Sequence, residues 1–304
     1  MSLVVEQLLN GVQFGAMLFL LAAGLTLIFG IMGIINLAHG SLFMVGAYAA
    51  ALTASKTGSF ALAVPAGLGA AACAGVAVEL LVMRRLYARD HLDQVLATFG
   101  LILFFNEMTV ILFGRQPLFV QLPAALNVSV PVAPGVLYPV YRLLLIGLGL
   151  AVAGGLYLLI NRTRLGMLVR AGATNREMVR ALGVDIRLIY TAVFGLGALL
   201  AGLAGLLSGP LTSVQVGMGE RILILAFVVV VIGGVGSVRG AFFGAMIVGM
   251  VDTLLRAFLP GLLRNVMAGS EADALGAGLS SMGVYFLMAA VLLARPKGLF
   301  VAHG

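Results

Sequence analysis

Charge is scarce in this chain. Only 10% of its 304 residues are Asp, Glu, Lys or Arg, where a soluble domain carries roughly 25%. Cysteine occurs once, as Cys73 inside an apolar run, which excludes an intramolecular disulfide and a cysteine-based metal cluster. Cys73 is expected to be a small packed helix residue. His39, His91 and His303 are scattered, with no companion Cys or carboxylate at metal-ligand spacing. No G-x-x-x-x-G-K-[ST] phosphate loop occurs, and no catalytic constellation is present.

What remains is apolar: 62% of the residues are hydrophobic. A soluble fold of this length lacks the polar shell to hide so much apolar surface. Lipid covers such surface without a shell. Glycine makes up 41 of 304 residues, about twice the average of roughly 7%. That content suits membrane helices that pack closely. The composition therefore predicts an all-α polytopic transmembrane bundle, organised as one domain over 1–304. Disorder, collagen and disulfide scaffolds are excluded.

A hydrocarbon core of about 30 Å needs about 20 helical residues. Seven regular runs meet that need, near 8–30, 59–83, 92–113, 140–160, 188–208, 241–259 and 281–294. Two more are irregular. Residues 33–55 begin with a polar break, and residues 222–236 are short and end in glycines. Each is read as a full span or a re-entrant helix, which gives about eight or nine spans with one or two broken.

The net charge of +7 does not point to nucleic acid, because the basic residues sit in short gaps between apolar runs. Loop 84–91 holds three arginines. Loop 161–187 holds six of the eighteen basic residues, and the tail holds Arg295 and Lys297. All three are expected on the cytoplasmic side. Segments 114–139, with five of the nine prolines, and 264–280 are expected outside. The N-terminus is external if 33–55 crosses and cytoplasmic if it is re-entrant.

Within loop 161–187, Thr174 and Glu177 fit a capping box. It predicts a short helix from Asn175 to the C-terminal glycine Gly183, with Met178, Val179, Ala181 and Leu182 on the apolar side. Arg176 and Arg180 lie one turn apart on another side. The pattern fits either a helix on the membrane surface or a docking helix for a cytoplasmic partner. Residues 33–43 align at an offset of 200 with 233–243, sharing glycines at 33/233 and 40/240 and Phe at 43/243. Duplicated halves with broken helices are a frequent transporter plan.

Polar groups inside apolar runs are functional candidates because hydrocarbon penalises them. Asn36, His39, Gly40 and Ser41 at the first break, Asn106 and Glu107, and Gly233, Gly234 and Gly236 at the second are the pathway candidates. Glu79 with Arg84, and Asp252 with Arg256, read as local ion pairs.

Four stretches carry a family resemblance. They are the opening through Asn36-Leu-Ala38-His39-Gly40; Gly166, Arg170, Ala171 and Asn175 followed by Ala181-Leu182-Gly183-Val184-Asp185; the Gly233-Gly234-Val-Gly236-Ser237 segment; and the terminal Arg295-Pro-Lys-Gly-Leu-Phe300. In this order they resemble LivH-type permease subunits of branched-chain amino acid ATP-binding-cassette (ABC) importers. The resemblance implies a multi-pass protein of the bacterial inner (plasma) membrane with no enzymatic activity and no cofactor of its own. ATP and Mg would be used by partner subunits. The implied partners are a second homologous permease, two cytoplasmic ABC ATPases and an extracytoplasmic solute-binding protein, in addition to membrane lipid. It also implies that Gly166, Arg170, Ala171, Asn175, Arg176, Glu177, Arg180, Ala181 and Gly183 form the ATPase coupling site. Gly172 departs from the pattern and is expected to shorten the helix. Urea and short-amide importers share this permease type. An ion-coupled secondary transporter, or a subunit of a membrane complex, is the rival from another class.

Overall fold

The computed structural model describes residues 2–300, so His303 lies outside the described residues. In chain order the helices are α1 (Ser2–Met32), α2 (His39–Thr57), α3 (Phe60–Leu86), α4 (His91–Phe113), α5 (Val140–Arg162), α6 (Arg164–Thr174), α7 (Arg176–Ala181), α8 (Ile186–Ser208), α9 (Met218–Gly233), α10 (Val238–Leu263) and α11 (Gly269–Ala294). A short antiparallel hairpin, β1 (Ser129–Ala133) and β2 (Val136–Pro139), stands between α4 and α5.

Among the described residues seven helices are long and apolar enough to cross a bilayer. They correspond one for one to the seven regular runs. The two irregular runs are α2 and α9, which fall outside that set. Helix α9 has 16 residues, about 24 Å at 1.5 Å rise, short of a full hydrocarbon core.

Helix α1 is the axis of the bundle. From Leu18 to Ala23 every side chain is buried, and the helix packs against α5, α8, α9 and α10. Its sequence permits this because no charge follows Glu6 and small residues alternate with leucines. By contrast α4, α5 and α11 present long rows of exposed apolar side chains, the surface expected of a ring that meets lipid or another subunit.

The side of the N-terminus follows from Asn10. Its side-chain Oδ1 accepts from Tyr138 Oη at 3.1 Å and from the Arg142 guanidinium. The start of α1 thus lies with the proline-rich segment, at the opposite end of α5 from loop 161–187. With the arginine loops cytoplasmic, the N-terminus is external and 33–55 returns across the bundle.

Three expectations need correction. Helix α11 begins at Gly269, so only 264–268 connects it to α10; the mixed 269–280 sequence reads as loop, yet Asp273 stays tied to Arg264 through two bonds of 2.8 and 3.0 Å. The expected 281–294 span is therefore 26 residues long. Cys73 is exposed on α3 rather than packed. The proline-rich segment is extended as expected, but it is also paired, both in the hairpin and through Leu118 to Val214.

Candidate functional site

Two helix breaks, each opened by a glycine, meet inside the bundle. Helix α1 stops at Met32, and Gly33 takes a φ of +66°. Helix α9 stops at Gly233, and Gly234 takes a φ of +105°. These are left-handed conformations that a Cβ disfavours. The two members of the offset-200 echo thus occupy equivalent places, each at a helix end followed by a new helix start. The breaks also touch: a Cβ on Gly30 would lie 3.1 Å from the Gly236 Cα.

The starts of α2 and α9 are in closer contact still. A Cβ on Gly219 would lie 2.0 Å from the Gly40 carbonyl oxygen, and one on Gly40 would lie 2.5 Å from the Gly219 oxygen. Only glycine permits that approach. Around it sits a buried polar group. Asn36 Oδ1 accepts from Ala38 N at 3.0 Å, closing the turn into α2. His39 Nε2 lies 3.2 Å from the Leu21 carbonyl oxygen. Asn36 Nδ2, His39 Nδ1 and Ser41 Oγ have no hydrogen-bond partner among the described residues, although all three residues are buried.

Asn106 and Glu107 separate. Asn106 Nδ2 donates to Glu220 Oε1 at 2.7 Å, joining α4 to the first turn of α9. Glu107 faces outward from α4 instead, among exposed Leu103, Phe104, Ile111 and Leu112. Sequence reasoning missed Glu220. It lies just ahead of the apolar 222–236 run; the glycines Gly217 and Gly219 before it, marking a helix start, were the signal.

Segment 161–187 holds two helices where one was expected. Thr163 Oγ1 accepts from Gly166 N at 3.1 Å and caps α6. A Cβ on Gly166 would lie 2.2 Å from the Leu159 carbonyl oxygen, so glycine lets α6 fold back on α5. Helix α6 runs through Gly172 without shortening. The cap of α7 is Asn175, not Thr174: Asn175 Oδ1 accepts from Met178 N at 3.0 Å, whereas the Thr174 hydroxyl donates back to the Arg170 carbonyl. Asparagine at the cap satisfies the same orphan N–H that threonine would. Gly183 takes a φ of +82° just past the helix, as expected of a C-terminal glycine.

Of the expected apolar side, only Val179 is buried. Met178 and Leu182 are 58% and 75% exposed, so they are not seated on this chain's own bundle. Ala171, Arg176, Glu177, Arg180 and Ala181 are exposed as well. Arg176 and Arg180 border a cavity of about 210 Å³ with Tyr87 and Tyr190, which brings loop 84–91 and α7 together.

Glu79 anchors that junction. A π-helical turn over Glu79–Met83 widens α3 and brings Glu79 to full burial. Its carboxylate accepts from Arg84, from Tyr87 Oη at 2.5 Å and from Thr191 Oγ1 on α8 at 2.7 Å. The expected Glu79–Arg84 pair is present at 3.3 Å, inside a larger network. Burial, and then the bond to Glu79, hold the Tyr87 phenol above its ordinary pKa. The expected Asp252–Arg256 pair is present at 2.8 Å.

A bundle of apolar helices around paired breaks, with a helical segment standing clear at one end, is the architecture of a multi-pass membrane protein. The chain belongs to the family of branched-chain amino acid transport system permease components, whose model matches residues 7–293. It is 29% identical to the high-affinity branched-chain amino acid transport system permease protein BraD of Pseudomonas aeruginosa, over 97% of this chain and 94% of that protein. It is 28% identical to LivH of Escherichia coli, again over 97% and 94%. The ribose import permease protein RbsC of Escherichia coli matches 82% of this chain and 77% of its own length, at 28% identity. No solved structure matches. The chain is therefore a transport permease subunit of the ABC importer type, held in the plasma membrane.

Proposed function

We propose that this chain forms half of the translocation pathway of an importer for branched-chain amino acids, driven by ATP hydrolysed with Mg on partner subunits. The observation that carries the reading is the near end-to-end match to amino-acid permeases, where the ribose permease matches a shorter stretch. The chain has no phosphate-loop motif of its own, in keeping with ATP being hydrolysed on partner subunits.

The exposed face of α6 and α7 is the surface available to two cytoplasmic ATPases. Met178 and Leu182 offer apolar anchors, and Arg176 and Arg180 offer guanidiniums for acidic side chains of the partner. A second, homologous permease is supported by Glu107. A carboxylate on the outward face of a membrane span is costly against hydrocarbon, so that face of α4 is read as lining an aqueous path or meeting another subunit. A binding protein would dock on the hairpin and residues 264–268. Gly40, Gly219, Asn106 and Glu220 would then form the level at which the solute passes, with Gly233, Gly234 and Gly236 at the inner break.

The test is leucine uptake into proteoliposomes holding the full complex, with binding protein outside and ATP inside. Arg180→Glu should lower ATPase association by about tenfold or more, since one charge-assisted contact is worth about 1.5–3 kcal/mol, and leave membrane insertion intact. Full uptake by that variant, or uptake by this chain alone on an ion gradient without ATP, would overturn the reading.

A further inference from the structure

At the cytoplasmic end, between α1, α5, α6 and the start of α10, lies a cavity of about 600 Å³. It is larger than the hollow beside α7 and contains none of the polar groups gathered around Gly40. Its polar lining is Arg170, Arg239, Asn161, Tyr157, Ser237 and Thr26. No Asp or Glu lines it. Neither arginine is in a salt bridge among the described residues. Arg239 stacks over the Tyr157 ring at 5.1 Å, and the Arg170 guanidinium reaches the Ile160 carbonyl oxygen. Two net positive charges therefore face one hollow with no counter-charge in its wall.

Two further features point to a ligand with an oxyanion. Ser237 caps α10, its Oγ accepting from Gly240 N at 3.0 Å. This leaves the earlier N–H groups and the positive end of a 26-residue helix at the cavity. Thr26 is fully buried, lines the cavity, and its Oγ1 has no hydrogen-bond partner among the described residues. The rest of the wall is apolar: Phe19, Leu27, Ile31, Phe242 and Phe243. Tyr157 and Phe243 are each about half exposed on the outside of their spans, so the mouth opens sideways.

We propose that this cavity binds the phosphate headgroup of an anionic phospholipid from the inner leaflet. The phosphate sits between Arg170 and Arg239 at the start of α10, and an acyl chain runs out over Phe242 and Phe243. Basic pockets between spans on the cytoplasmic side take such headgroups by this chemistry. A zwitterionic ligand fits less well, because the wall offers no carboxylate to its ammonium. The lipid would link α6 to the inner helix break, so lipid composition would tune the segment read above as the coupling site. Binding itself does not depend on that reading.

Native mass spectrometry of the full chain, released from vesicles of phosphatidylcholine with and without phosphatidylglycerol, tests the proposal. The expected result is one phosphatidylglycerol retained per chain in preference to phosphatidylcholine. Arg239→Gln should lower retention about tenfold and Thr26→Val about fivefold. The threonine variant is isosteric and keeps the test valid should Arg239→Gln fail to fold. Undiminished retention in a folded variant of either kind overturns the site. Displacement of the lipid by an equal concentration of inorganic phosphate overturns the lipid and leaves a free-anion site.

Discussion

Replacing Glu79 by glutamine removes one charge and little else, and the structure allows its effect to be estimated. Oε1 accepts from Tyr87 Oη at 2.5 Å and Arg84 Nε at 3.3 Å; Oε2 accepts from Thr191 Oγ1 at 2.7 Å and Arg84 Nη2 at 3.3 Å. An amide keeps one accepting oxygen and turns a donor toward the other two donors. Whichever way it faces, one Arg84 N–H loses its acceptor, the hydroxyl on that side must turn to accept instead, and the bonds that remain lose their charge. A hydrogen bond to a charged group contributes about 1.5–3 kcal/mol. The Arg84 side chain is 34% exposed, so its share is cut by solvent screening. The net cost is then about 2–3 kcal/mol, or a melting temperature lower by about 4–12 °C. The assay is a thermal melt in detergent, run as a double-mutant cycle with Thr191→Val. The two changes should be strongly non-additive, because Thr191 both donates to Glu79 and accepts from Arg84 at 2.9 Å. A Glu79→Gln melt within 1 °C of the parent, or simple additivity, would refute the claim that this network ties α3 to α8.

Two more outcomes follow from the same geometry. Gly219→Ala places a Cβ 2.0 Å from the Gly40 carbonyl oxygen. It should destabilise by at least about 1–3 kcal/mol and abolish uptake, whereas Gly147→Ala, with open space around it, should be neutral or slightly stabilising. Parallel melts and leucine uptake distinguish the two. On the alkaline side, the folded Tyr87 phenol has a pKa above its unfolded value of about 10. The folded state therefore holds its proton longer, so this stabilisation is complete below about pH 10 and declines as pH rises further. Tyr87→Phe should flatten part of that decline in unfolding curves taken from pH 9 to 12.

What was legible in the sequence was whatever the bilayer imposes. A fixed hydrocarbon thickness makes seven apolar runs unmistakable, and it marks 222–236 as irregular because it misses that length, while 33–55 stands apart by the polar break at its start. Local ion pairs at Asp252–Arg256 and Glu79–Arg84 were legible because one helical turn brings them together. The pairing of Asn106 with Glu220 was not, since the two lie 114 residues apart and only the packed bundle joins them. Helix α6 was hidden for a different reason: its fold-back on α5 depends on the missing Cβ of Gly166, a contact that no periodicity announces. The Thr174–Glu177 capping box was genuine as a pattern but lost to Asn175, which offers the same oxygen one residue later.

These contacts also say how a displacement at α7 would travel. Arg176 and Arg180 border the hollow with Tyr87 and Tyr190, and Tyr87 bonds Glu79, which holds Thr191 of α8. Farther along α8, a Cβ on Gly202 would fall 2.3 Å from the Ala71 Cβ, and one on Gly205 would fall 1.9 Å from the Phe43 carbonyl oxygen. Backbones at that distance have no slack to absorb a shift, because packed interiors are dense and resist compression. Helices α2, α3 and α8 thus form one close-packed unit. Helix α2 begins at His39, beside the Gly40–Gly219 contact and the unpartnered polar atoms of the first break. If α7 is the coupling helix proposed above, a push on it would reach the level at which α2 and α9 begin through one buried carboxylate and a run of glycine contacts.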